Sequence, residues 1–155
     1  MSFKLIIVES PAKCKSIEKY MGKGYKCVAS YGHIREMDTK KGLDCIDRTG
    51  ETPSYFPKFK NVYKQQKHIQ SLKTLTSKAT DIFLATDDDR EGEAIAWHIC
   101  IVCKLPIKTT KRIIFHEITQ KAVQKAVMNP GIINMKKVEA QQCRQVLDLL
   151  IGYTI

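Results

Sequence analysis

The 155-residue sequence contains no apolar run long enough to span a bilayer. Its first ten residues, MSFKLIIVES, hold a short apolar run ending in an acid and no small-residue cleavage site, so they predict a first strand and not a signal peptide. The six cysteines are scattered, which without an export signal favours reduced thiols over disulfides. These absences predict an intracellular protein with no membrane partner.

Two common binding motifs are also incomplete. The segment GKGYK at 22–26 lacks the Walker spacing and has no Ser or Thr after a Gly-Lys pair, so it indicates the end of a helix and not a nucleotide triphosphate site. Cys100 and Cys103 have the spacing of zinc ligands, but they lie on an apolar segment and no second pair completes the site. We therefore interpret both as core thiols.

Acidic residues are few relative to basic ones. The chain has 26 Lys and Arg against 16 Asp and Glu, a formal net charge of +10 and a pI near 9.3. Such a surplus favours a polyanionic partner, with nucleic acid first and an anionic membrane surface second. A merely solvated basic surface is the alternative.

The apolar segments alternate between strand and helix patterns. Four segments predict strands, at 4–8, 25–30, 81–86 and 111–116. Five segments predict helices, at 11–21, 61–78, 91–103, 119–128 and from Met135 onward. A long irregular stretch is predicted over 32–58. This order predicts an α/β fold with a mostly parallel sheet covered by helices on both faces. A composition shift at 129–134 divides it into a domain of residues 1–134 and the start of a helical second domain, 135–155.

The little acid that is present is concentrated after two of these strands. Glu9 follows the first strand, and Asp87, Asp89 and Glu91 follow the strand at 81–86. Functional groups of such sheets collect beyond the carboxyl ends of the strands, so these four carboxylates can converge if the two strands are neighbours. Their mutual repulsion would be costly without a cation, and an all-oxygen donor set suits Mg²⁺. Helix capping is the simpler interpretation for Asp88 and Glu93.

Five segments of the chain occur in an order typical of one enzyme family. Together they resemble the N-terminal part of type IA DNA topoisomerases, and the acids resemble the Toprim signature, a glutamate after the first strand followed later by DxDxE; the segments are VESPAKCKSIEKYMG at 8–22, YGHIRE at 31–36, LATDDDREGEAIAWH at 84–98, FHEIT at 115–119 and QQCRQVLDLLIGY at 141–153. The resemblance implies a Rossmann-like Toprim fold that binds Mg²⁺ and single-stranded or underwound DNA.

The resemblance also implies roles for individual residues. Asp87, Asp89 and Glu91 would bind Mg²⁺, and Glu9 would lie beside the scissile phosphate and assist proton transfer at the leaving 3′ oxygen. Lys13 would add positive charge at the cleavage site. Three further residues would contact DNA, namely His33, Arg35 and Arg144.

Parts of the family pattern differ or are missing here. Arg144 is followed by Gln145 where the family usually has a second arginine, and Asp148 is followed by Leu149 where an arginine is frequent. The nucleophilic tyrosine of the family belongs to a later domain, and Tyr153 lies in a motif without that role. We therefore expect this chain to be a DNA-associated fragment that needs the remaining domains of its polypeptide and cannot relax DNA alone.

Two other functions are compatible with the residues. A Toprim nuclease or primase-like module would share the acids and would nick DNA or make primers by itself. A non-catalytic basic DNA-binding module would keep its DNA affinity when the acids are replaced.

Overall fold

A computed structural model describes residues 2–37 and 59–154 of the chain. Within them lie six strands and five helices, which are β1 Lys4–Val8, β2 Tyr25–Ala29, β3 Arg35–Met37, β4 Phe59–Asn61, β5 Asp81–Leu84, β6 Lys111–Arg112, α1 Cys14–Met21, α2 Gln66–Lys78, α3 Arg90–Cys103, α4 Gln120–Met128 and α5 Met135–Thr154. The predicted alternation of strands and helices is confirmed.

The main sheet has four parallel strands in the order β2-β1-β5-β6. In the register of this sheet Val8 pairs with Ala29 on one side, and Ile7 pairs with Leu84 on the other. Because β1 and β5 are parallel neighbours, the segments that leave their carboxyl ends emerge side by side.

Alternate residues of β1 pack against opposite layers of helices. Leu5 and Ile7 belong to a core with residues of α2 and α3, among them Ile69, Leu72, Ile95 and Ile99. Ile6 and Val8 belong to a second core, with Ile17 of α1 and with Val123 and Val127 of α4. A strand buried on both faces reads as a continuous apolar run, as KLIIV does. The α/β fold with helices on both faces is confirmed.

Some element boundaries differ from the predictions. The strand expected at 111–116 is limited to Lys111–Arg112, because the chain leaves the sheet after Ile113 donates its N–H to the Leu84 carbonyl. The helix expected at 61–78 begins at Gln66, after a 3-10 turn over Tyr63–Gln65. The stretch expected to be irregular contains β3, which pairs antiparallel with β4, and its residues 38–58 lie outside the described part.

Helix α5 starts in the first core and ends away from it. Val138 is fully buried with Ile95 and Ile99 of α3, whereas Leu147 and Ile151 are more than half exposed. The predicted boundary between residues 134 and 135 stays a prediction. Within the described ranges, no helix is both long and apolar enough to cross a membrane.

Candidate functional site

The acids that follow β1 and β5 lie next to each other. The Glu9 carboxylate accepts a hydrogen bond from the backbone N–H of Asp87, with 2.8 Å between Oε1 and N. The two residues are 78 positions apart in the chain. Parallel pairing of β1 with β5 therefore brings together the two acidic segments that the sequence analysis expected to converge.

The segment between β5 and α3, residues 85–89, is here called the acid loop. Its last residue, Asp89, is the N-cap of α3, and the Asp89 carboxylate accepts the Gly92 N–H at 2.6 Å. At the other end of the loop the buried Thr86 hydroxyl donates to the Gly92 carbonyl at 2.6 Å. These two bonds fold the acid loop onto the first turn of α3.

Lys13 faces the acid loop from the start of α1. The chain turns there because Pro11 occupies the first position of a 3-10 turn whose N-cap, Ser10, accepts the Ala12 N–H. The Lys13 ammonium lies 3.5 Å from Oδ1 of Asp87, and both side chains are about half exposed, at 42% and 50%. The site thus contains a cation within reach of any anion that approaches Asp87.

His33 reaches the same place from the loop after β2. Its Nε2 lies 2.9 Å from Oε1 of Glu91 in the first turn of α3. The two residues before it, Tyr31 and Gly32, both have left-handed backbones with φ of 57° and 82°. For Tyr31 this conformation is strained, and stacking of its ring on His68 at 4.1 Å helps to hold it.

The carboxylates of the site influence one another. Partial burial raises the pKa of Glu9 above its ordinary value, and the nearby charges of Asp87, Asp89 and Glu91 raise that pKa further, while the hydrogen bond from the Asp87 N–H opposes the shift. Negative charge is therefore unfavourable at Glu9, and a cation bound here would relieve it.

Comparison with known proteins agrees with this geometry. The Toprim domain family matches residues 4–118, which is most of the chain. The chain belongs to the Toprim family. It is also similar in structure to full-length topoisomerase I from Thermotoga maritima, with 41% sequence identity and a TM-score of 0.84 over 96% of this chain. These findings confirm the resemblance stated above, although this chain spans only 24% of the Thermotoga protein.

Not all of the predicted site residues of this Toprim domain meet. Four of them adjoin the acid loop or belong to it, whereas Glu91 lies in the first turn of α3, where it contacts His33. Arg35 is instead half-buried, with its guanidinium over the rings of Phe59 and Trp97 at 5.3 and 5.7 Å. Arg144 is exposed on α5, and within the described residues no hydrogen bond or ion pair joins it to the site.

The donor set of the Toprim site fits a hard divalent cation. Its acids offer only oxygen atoms, two of them are at least half exposed, and their charges already disfavour one another. The carboxylates are directed to separate protein partners, and among residues 2–37 and 59–154 no three His, Cys, Asp or Glu side chains form a ready metal-binding group. Asp87, Asp89 and Glu91 could hold a metal after side-chain rotation.

Three contacts of acids in and next to the acid loop were missed in the sequence. Glu93, interpreted there as a helix-start acid, is fully buried and forms an ion pair with Arg112, with Nε and Oε1 2.9 Å apart. Asp88 lies 3.0 Å from the Lys137 ammonium of α5 and 3.6 Å from His116, and the Lys137 bond lowers the pKa of Asp88. Helical spacing could have revealed Glu93, because it precedes the buried Ala96 and Cys100 by three and seven positions.

Proposed function

We propose that this chain supplies the metal-binding and phosphate-binding part of the active site of a type IA DNA topoisomerase. The observation that carries the proposal is the contact of Glu9 with the Asp87 backbone, beside the Lys13 ammonium. It places an acid, a loop of further acids and a cation together at the carboxyl ends of β1 and β5. A phosphodiester needs this combination, because it must be attracted by positive charge and contacted by a group that can move a proton.

The residues divide into three tasks. Asp87, Asp89 and Glu91 would hold Mg²⁺, which when bound neutralises charge on the phosphate and polarises its oxygen. Lys13 would pair with the scissile phosphate as it does with Asp87. Glu9, whose pKa is raised by burial and by its acidic neighbours, is suited to carry a proton to or from the leaving 3′ oxygen.

The remaining predicted contacts serve DNA binding. His33 would orient Glu91 through their 2.9 Å contact and face the DNA strand. Arg35 and Arg144 would contact phosphates, and the net charge of +10 would draw single-stranded or underwound DNA to the surface. The nucleophilic tyrosine would come from another domain of the same polypeptide, so we expect this DNA-associated chain to be inactive alone.

Metal titration tests the proposal directly. We expect Mg²⁺ to bind the chain in isothermal titration calorimetry, and we expect binding to be lost in an Asp87→Asn, Asp89→Asn variant. Asp81→Asn is the matched control, because Asp81 lies at the opposite end of β5 and pairs with Lys111. Equal Mg²⁺ affinity of wild type and the double variant would refute the proposed site.

Activity assays separate the competing functions. Incubated with supercoiled plasmid and Mg²⁺, the chain should leave the topology unchanged and introduce no nicks. Nicking that depends on Asp87 would indicate a Toprim nuclease instead. DNA affinity that persists without any Mg²⁺ binding would indicate a non-catalytic DNA-binding module.

A further inference from the structure

A buried ion pair lies directly behind the acid loop. The side chains of Arg112 and Glu93 are each only 1% exposed, and Nε of the guanidinium is 2.9 Å from Oε1 of the carboxylate. Removing two charges from water is costly, and it is tolerated only where hydrogen bonds satisfy the remaining polar atoms. The partners of these remaining atoms indicate what the pair does.

The guanidinium of Arg112 binds the backbone that carries the acids. Its Nη1 donates to the carbonyls of Leu84 and Thr86 at 3.1 and 2.7 Å, and also to its neighbour Ile113 at 2.9 Å. Its Nη2 donates to the Asp87 carbonyl at 2.7 Å. One side chain therefore fixes three carbonyls between the end of β5 and the first of the three aspartates.

The other half of the pair holds the guanidinium in place. Oε2 of Glu93 accepts the backbone N–H of Asn134 at 2.9 Å, so the carboxylate connects α3 to the residue just before α5. The backbone of Arg112 is fixed as well, because its N–H and carbonyl both bond to Gly131 at 2.9 and 2.8 Å. Neither partner can move without breaking several hydrogen bonds.

The geometry points to Arg112 as a positioning residue that sets the direction of the acid loop, with Glu93 as the residue that orients Arg112. Asp87 contributes its N–H to Glu9 and its carbonyl to Arg112, so its peptide is held from both sides. Lysine could not replace this arrangement, because only the planar guanidinium presents several donors in a fixed fork. The expected effect on Mg²⁺ affinity rests on the proposed function. The expected effect on the order of the acid loop is independent of it.

Amide hydrogen exchange followed by NMR, without metal, tests the order of the loop. In an Arg112→Met, Glu93→Gln variant no buried charge is left unpaired, and glutamine still offers an oxygen to Asn134. We expect the Asp87 and Gly92 amides to exchange at least tenfold faster relative to the amides of β1 than they do in wild type. The matched control is Val123→Ala, which weakens the core between the sheet and α1 and α4 without changing Arg112. In this control, the exchange rate of the Asp87 and Gly92 amides relative to the β1 amides should equal that of wild type.

Two further readouts complete the test. Arg112→Lys keeps the charge and should still accelerate loop exchange, and it decides the question if the double variant does not fold. In each of these two variants that folds, we expect the apparent Kd for Mg²⁺ to be at least fivefold higher than in wild type. A wild-type exchange ratio in both variants would overturn the inference, whereas absence of Mg²⁺ binding by wild type would overturn only the proposed function.

Discussion

Gly92 of α3 lies directly against the backbone of the acid loop, and replacing it by alanine should separate the two. A methyl carbon at this position would lie 2.0 Å from the Asp87 carbonyl oxygen and 2.8 Å from the carbonyl carbon. Both atoms belong to backbone, so no side-chain rotation can relieve the clash. The Asp87 peptide or the first turn of α3 must move.

Two opposing effects decide the sign of the change. Alanine is a better helix former than glycine by about 1 kcal/mol, which alone would stabilise α3. Moving the Asp87 peptide would weaken its charge-assisted hydrogen bond from Arg112, which contributes about 1.5–3 kcal/mol. Overpacking adds about 1–3 kcal/mol of strain. The strain and the weakened hydrogen bond outweigh the gain in helix propensity, and we expect the free energy of unfolding to fall by about 2–4 kcal/mol.

Thermal and urea unfolding followed by circular dichroism would measure this loss. For a chain of this size about 2–4 kcal/mol corresponds to a Tm roughly 5–15 °C lower. Gly131→Ala is the control, because a methyl carbon there would only approach the Arg112 carbonyl oxygen at 3.8 Å. The control should be as stable as wild type or more stable by up to about 1 kcal/mol. A Gly92→Ala variant as stable as wild type would show that the loop does not depend on this close approach.

Three further predictions concern a buried histidine, the end of α3 and the partner of Asp88. Burial is the main cause, and the charges of Arg35 and His33 add to it, of a pKa of His98 that is lowered from 6.5 to about 3. As pH falls, His98 therefore binds a proton in the unfolded chain at a higher pH than in the folded chain. Below pH 6.5 wild type should therefore lose up to about 1.4 kcal/mol of stability per pH unit relative to His98→Gln in urea titrations. Lys104 ends α3 in the left-handed conformation with φ 57°, and Lys104→Gly should raise the free energy of unfolding by about 0.5–1 kcal/mol; no gain would contradict the strain. Lys137→Gln should raise the pKa of Asp88 in an NMR titration, and an unchanged pKa would exclude the ion pair in solution.

Much of the fold could be predicted because its signals are local. The apolar run of β1 and the Ser10-Pro11 pair each act within a few residues. β1 formed over the expected residues, whereas the helix expected over 11–21 starts with a 3-10 turn at Pro11 and becomes α-helical at Cys14. The convergence of Glu9 with Asp87 was also foreseeable, because parallel strands place their carboxyl ends at one edge.

The contacts that sequence reasoning missed depend on long-range packing. Glu93 and Arg112 are 19 residues apart, and nothing in either local pattern specifies that their side chains meet in the interior. Asp88 turns toward Lys137 only because α5 packs against α3, which the sequence does not reveal. The sequence shows that a charged side chain lies next to a strand end. Which side chain it pairs with depends on how the helices and strands pack in the tertiary structure.

The pairing of β1 with β5 also constrains how the protein can be made. Glu9 leaves the ribosome before its partner at position 87, which is synthesised 78 residues later, and Arg112 follows later still. During translation the first strand must remain unpaired on that side until β5 emerges, and its unpaired backbone N–H and C=O groups are open to aggregation. Chaperone dependence during synthesis should therefore fall once β5 has left the exit tunnel.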